Sequence, residues 1–289
     1  MKPNERAGYS AIVDRPPLRL PADIRMVVWP IVNLEVWEIE RPMARQVLPA
    51  PTGMAVTPDI PNWSWHEYGM RVGIWRFIAA FDRFGIRPTL SINAKVTEDY
   101  RRVAAACLER QWEFMGHSYV QMPIHAVDDQ RRLIEQSLST LEAFTGKRPV
   151  GWLGPGLTET YDTPDLLAAA GVQYIGDWVY DDEPTEIRTK HGPLVTLPYT
   201  VELNDIPMMI VQHHTAEEFL RRATDQFDRL YRESAERAKI LSFAIHPYIS
   251  GVPHRIRYLE AFLDYASRHS GVAFWTGEQI LDWYRGARK

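Results

Sequence analysis

The stretch "RPTLSINAKVTEDYRRVAAACLERQWEFMGH", residues 87–117, contains one complete folding unit. "RPTLSIN" is a short run rich in strand formers, residues 98–110 follow a helical pattern, and "WEFMGH" is a second short apolar run. Strand, helix and strand in that order are the signature of a parallel sheet. Each strand also ends on a polar residue, Asn93 in one case and His117 in the other.

The unit repeats from Arg25 onward. Further strands are expected at "MVVWPIVN", "PVGWL", "VQYIGDW", "LVTLP", "MMIVQ", "ILSFAIH" and "VAFWT". Helices are expected over 68–84, 98–110, 127–144, 162–170, 215–236, 254–268 and 277–286. Gly85, Gly146 and Gly171 stand where C-terminal glycine caps belong. Pro164 follows Thr163 at a helix start, and Thr215 precedes two acids in a first turn. Seven or more such units in roughly 260 residues suit a (β/α) barrel better than an open sheet. Residues 1–24 are read as an N-terminal extension and 25–289 as a single barrel domain, because no linker-like stretch divides the chain after residue 25.

Composition narrows the function. The chain has 289 residues, 45% hydrophobic and 24% charged, with a formal net charge of −4, which leaves no basic footprint for a nucleic acid partner. Cys107, the single cysteine, lies in the helical segment "RRVAAACLER", so neither a disulfide framework nor a cysteine metal cluster is expected. The first 26 residues interrupt any apolar run with charges and prolines, and no later stretch reaches the roughly 18 apolar residues of a membrane span. A soluble cytoplasmic protein without membrane partners is the expectation. The tryptophan-rich segments are compatible with a homo-oligomer interface, although aromatics crowd barrel cores too.

In a (β/α) barrel the active site lies past the C-terminal ends of the strands. That rule selects Asn33, Glu35, Asn93, His117, Gly154, Pro155, Asp177, Tyr199, Gln212, His213, His214 and His246. His246 ends the apolar run "ILSFAIH", a strong placement for a catalytic imidazole. Glu35 ends another, and desolvation by neighbours such as Trp37 is expected to raise its pKa. Adjacent residues on a strand face opposite sides, so at most one of His213 and His214 can point inward. Trp63, Trp65, His66 and Arg71 in "WSWHEYGMR" could rim a planar substrate, with aromatic core packing as the rival. Tyr199, Glu202 and Asn204 in "LPYTVELND" offer donors and acceptors to an amide.

With these stretches in hand the chain resembles the polysaccharide deacetylase superfamily over residues 25 to 286. "YGMRVGIWRF" at 68–77 and "IHPYISGVPHR" at 245–255 are most similar to the cytoplasmic branch with deacetylase-type allantoinases and cyclic imide hydrolases. The resemblance implies an irregular barrel of seven or eight parallel strands. The family's first motif is a pair of adjacent acids, a general base and a metal ligand. Here "VNLEVWE" keeps Glu35 at the base position and puts Val36 where the ligand should be. The second motif, His-Ser/Thr-x-x-x-His, is represented by His117, Ser118 and then Gln121, a weak neutral donor for zinc. His125 lies four residues further on, beyond Pro123. In the third motif, "WLGPGLTET", Leu153 or Gly154 replaces an arginine, while Gly154 and Gly156 could offer backbone amides to an oxyanion. Asp177 and Trp178 stand where the family orients catalytic groups or contacts substrate, and His246 matches its general acid.

The resemblance thus implies a hydrolase of C–N amide bonds in a small cyclic imide or ureide. Glu35 would be the base, His246 the acid and His117 an oxyanion partner. Asn33, Trp65, Arg71, Gly154, Asp177, Trp178 and Tyr199 would contact substrate. No metal is assigned, and zinc or another divalent ion, if bound, would have to use Glu35, His117, Gln121 and His125. The alternatives are a metal-dependent N-deacetylase of an N-acetylated sugar or peptidoglycan fragment and a non-catalytic small-molecule-binding homologue. The roles of His66, His125, His213 and His214 stay open.

Overall fold

The computed structural model describes residues 1–50 and 53–287. Pro51, Thr52 and the last two residues of the 25–289 domain lie outside the described residues. The expected runs form strands at Met26–Leu34 (β1), Thr89–Ile92 (β2), Glu113–Gly116 (β3), Gly151–Trp152 (β4) and Tyr174–Ile175 (β5). Thr185–Ile187 (β6) is a short strand that the sequence reading did not anticipate. Leu194–Thr196 (β7), Ile240–Ile245 (β8) and Val272–Phe274 (β9) complete the set. The sheet runs β6-β7-β5-β4-β3-β2-β1-β8, with β9 also paired to β1. Every pairing is parallel except that of β6 with β7.

"MMIVQ" is a correction. Ile206–Val211 forms a wide helical turn instead of a strand, with Pro207 in its first turn and Ile206 N–H donating to Asn204 Oδ1 at 2.9 Å. A short apolar run does not by itself distinguish a strand from a buried helical segment. Where that strand would have closed the barrel there is one bridge, between Asn204 and Ala244, which makes the barrel irregular. His213 and His214 follow the turn as exposed loop residues, so neither points inward.

Side-chain alternation along β1 divides the core. Val28, Val32, Leu34 and Val36 join Phe77, Phe81, Phe243 and Phe262 in the outer layer between sheet and helices. Val27, Trp29 and Ile31 join Met115, Leu153, Tyr174, Val195 and Ala244 in the other cluster, inside the barrel. β1 is buried along its whole length, as expected of a strand covered on both faces.

The helix expected at 68 begins earlier, at Ile60. Its cap Asp59 accepts from Asn62 N–H, and Pro61 sits in its first turn. It runs Ile60–Tyr68, passes through a wider turn at Gly69–Gly73 and continues as Ile74–Phe84. A Cβ on Gly73 would overlap the Pro247 carbonyl, and one on Gly69 would approach Tyr248 N to 2.7 Å. The glycines of "YGMRVG" therefore let this helix touch the backbone of "HPYISG", so the two stretches work as one packed unit. Before β1, Arg6 docks on the barrel through a buried bidentate pair with Asp165, at 2.9 and 2.8 Å. Among the described residues no helix is long and apolar enough to cross a membrane.

Candidate active site

The inward parity of three strands converges on one point. Past Val27, Trp29 and Ile31, the same parity brings Asn33 and Glu35 inward. Met115 leads to His117 on β3, and Ile240 and Ala244 lead to His246 on β8. Glu35 Oε1 lies 3.4 Å from His246 Nε2 and 3.6 Å from His117 Nε2. Its other oxygen, Oε2, accepts from the Trp37 indole at 3.1 Å and the Tyr248 hydroxyl at 3.4 Å. All three side chains are buried at the floor of a cavity of about 420 Å³.

His246 is held from behind. Its Nδ1–H donates to Asp205 Oδ1 at 2.6 Å, and its backbone N–H and the Ser250 hydroxyl donate to Asp205 Oδ2 at 2.8 and 2.7 Å. Burial alone would lower the imidazole's pKa, but the charges of Asp205 and Glu35 outweigh it and hold the value at about 9. Near neutral pH His246 is therefore an imidazolium with Nε2–H facing the cavity. The expectation of a raised Glu35 pKa is corrected. Burial does oppose its charge, yet the His246 imidazolium and the His117 contact hold the carboxyl well below the usual range. Trp37 contributes a hydrogen bond as well as an apolar face.

His117 Nδ1 faces the Leu153 carbonyl at 2.5 Å. A carbonyl only accepts, so Nδ1 carries a proton and Nε2 is the ring atom turned towards Glu35, 3.6 Å away. Among the described residues Nε2 has no hydrogen-bond partner. Asn93 ties three loops together: it accepts from Val36 N–H at 2.9 Å and donates to the His117 carbonyl and, at 3.4 Å, to Gln121 Oε1.

Of the expected substrate contacts, Asn33, Gly154 and Tyr199 line the cavity. Tyr199 Oη accepts from Asn204 Nδ2 at 2.7 Å, leaving its own proton for another acceptor, and burial raises its pKa so that the proton is kept. Gly154 is a wall but not an amide donor, because its N–H is already committed to Asp177 Oδ1 at 2.7 Å. Asp177 is set back behind that turn. Burial and the neighbouring Glu159 raise its pKa strongly, favouring the neutral acid. Three further expectations are corrected. Trp178 turns away to donate to Glu159 Oε2 at 3.0 Å. Trp65 packs edge-on against Tyr248 with centroids 4.9 Å apart. Arg71 emerges from the wide turn with a side chain 74% exposed, paired with Glu67 at 3.4 Å. His66 lies between Trp37 and Tyr248, with ring centroids 4.5 and 4.4 Å away, and burial lowers its pKa to about 4. It is a neutral packing ring beside the site.

The sequence reading missed Asp205, Tyr248 and Arg45. The first two lie inside quoted stretches, and "ELND" after a strand was a usable signal for an acid. Arg45 lies in a loop whose course no local pattern reveals.

The donors do not suit a divalent metal. Val36 belongs to the outer core, Gln121 is engaged by Asn93, and His125 is exposed on a short turn. Glu35 and His117 alone make a poor ligand set, and no group of three or more His, Cys, Asp or Glu side chains able to hold a metal occurs among the described residues. The set Glu35, His117, Gln121 and His125 is thus not assembled.

No family model matches the chain. A Schizosaccharomyces pombe protein named for the polysaccharide deacetylases is 25% identical over 241 residues, covering 74% of this chain and 73% of its own. The structure of a probable polysaccharide deacetylase from Pseudomonas aeruginosa PAO1 superposes with a TM-score of 0.84 at 27% identity, over 94% of this chain and 95% of that one. PuuE allantoinase superposes with a TM-score of 0.86 at 26% identity, over 99% and 98%. Fold and relatives together define a hydrolase of carbon–nitrogen bonds other than peptide bonds. The chain is thus similar to the polysaccharide deacetylases and to a deacetylase-type allantoinase.

Proposed function

We propose that the protein opens a small cyclic imide or ureide by hydrolysing one of its C–N bonds. The observation that carries this reading is the Glu35–His246–Asp205 chain at the floor of a cavity sized for a small molecule, where the family's metal-ligand positions hold an outward valine and an engaged glutamine. An imide carbonyl is more electrophilic than that of a simple acetamide and has a better leaving group, so it needs less help from a Lewis acid.

In this mechanism Glu35 takes a proton from water as the oxygen attacks the carbonyl carbon. Tyr199 O–H, with Asn204 behind it, donates to the developing oxyanion. His246 Nε2–H protonates the departing nitrogen as the C–N bond breaks. When His246 loses its proton, the positive charge that held Glu35 acidic disappears, so the carboxyl then retains the proton it took. Passing that proton to Nε2 across the 3.4 Å gap restores both groups. Water has supplied hydroxide to carbon and a proton to nitrogen. His117 Nε2, 3.6 Å from Glu35, helps to orient the attacking water. Asn33 and the Gly154 turn shape the wall.

A cytoplasmic setting and a small-molecule substrate form part of this proposal. The rival reading, removal of an acetyl group from an N-acetylated sugar, draws on the names of the relatives. Protein purified without added metal should open a cyclic imide or ureide equally well with and without chelator. Chelator-sensitive release of acetate from N-acetylated chitooligosaccharides, with no ring opening, would establish the rival. No turnover of any of these would favour a binding protein.

A further inference from the structure

Arg45 is the one Lys or Arg among the described residues lining the cavity that holds Glu35 and His246. It is half-buried, and among the described residues it has neither a hydrogen bond nor an ion pair. Its charge nevertheless acts on the Tyr248 hydroxyl, which itself donates to Glu35. A guanidinium has five N–H donors in a planar fork that matches a carboxylate, so an anionic group of a ligand in this cavity would give it the partner that the protein does not supply.

The loop that presents Arg45 is braced on both sides. Met43 is buried at 4% exposure. On the far side, buried Asn62 accepts from Val47 N–H and Leu48 N–H at 2.8 and 3.1 Å and donates to Leu48 O at 2.8 Å. The backbone is therefore fixed within a few residues of Arg45, which reduces the ordering cost of a contact made by the side chain.

A neutral ring gives a fixed cation nothing to pair with, whereas the opened product does. Ring opening breaks one C–N bond and forms one C–O bond, and the resulting acid ionises at neutral pH. We infer that Arg45 anchors the carboxylate created by ring opening, so that the site holds acyclic half-amides or ureido acids through a guanidinium–carboxylate pair. This rests on the proposed ring-opening reaction and adds to it a named specificity residue and an anionic ligand class.

The test uses the full chain and two acyclic probes of nearly equal size, succinamate (one carboxylate) and succinamide (none), titrated by calorimetry at pH 7.5. Wild-type protein should bind succinamate at least about tenfold more tightly than succinamide, with a preference that shrinks as salt rises. Arg45→Gln should erase the preference, while Arg45→Lys should restore part of it. Equal affinities in the wild type, a preference that survives in Arg45→Gln, or no binding of succinamate would each overturn the inference. Failure of the ring-opening reading would show separately, as an absence of imide or ureide turnover by wild-type protein.

Discussion

Replacing Asp205 by Asn removes the charge that stabilises the His246 imidazolium while nearly keeping the shape of the side chain. The imidazole stands at about 9 against an ordinary 6.5. The difference is roughly 300-fold in proton affinity, or about 3 kcal/mol. Asp205 is the foremost of the influences raising it, ahead of Glu35, and both act against burial. Removing an adjacent opposite charge typically moves a pKa by about 1–3, so the variant's midpoint should fall to about 6–8. The general acid must be protonated and is lost as pH rises through its pKa. The alkaline limb of kcat/KM for imide opening, expected near 9 in the wild type, should therefore move down by at least about one pH step. Stability follows the same sign. The contribution of His246 is complete below pH 6.5 and lost as pH climbs through about 9, so wild-type protein should weaken across that window more than Asp205→Asn does. Histidine NMR titration alongside the pH–rate profile would check both. An alkaline limb still near 9 in Asp205→Asn would refute the assignment of His246 as the proton donor.

Other consequences follow from the same geometry. Tyr199→Phe should lower kcat for imide opening by about 10- to 100-fold with a smaller change in KM, as expected for an oxyanion donor; an equal effect confined to KM would contradict that role. Gly73→Ala, whose new methyl would overlap the Pro247 carbonyl, should destabilise the fold by about 1–3 kcal/mol in urea titration. It should also reduce activity by displacing the segment that carries His246 and Tyr248.

Much of this architecture was legible because two periodicities dominate the chain. Apolar runs such as "ILSFAIH" could be read as strands delivering their terminal polar residue inward, and the parity of Glu35, His117 and His246 bears that out. "MMIVQ" misled because its apolar content suits a buried helical turn as well as a strand, and Pro207 and Asn204 decided in favour of the turn. The direction of the Glu35 shift could not be read locally. Burial and ion pairing push in opposite directions, and the partner that prevails lies 211 positions away, just past the end of β8. Arg71 was misplaced because the wide turn at Gly69–Gly73 changes which side chains face the barrel. Asp205 and Arg45 act through loops, whose courses are set by tertiary contacts such as the Asn204–Ala244 bridge and the Asn62 brace.

The central claim is that Glu35 activates water in a ring-opening hydrolysis completed by His246. Its most direct test is the turnover of a cyclic imide by wild-type protein and by Glu35→Gln, with the fold of the variant checked by circular dichroism. The account predicts ring opening by the wild type and a loss of at least about a thousandfold in the folded variant. Substantial imide turnover by folded Glu35→Gln would contradict it.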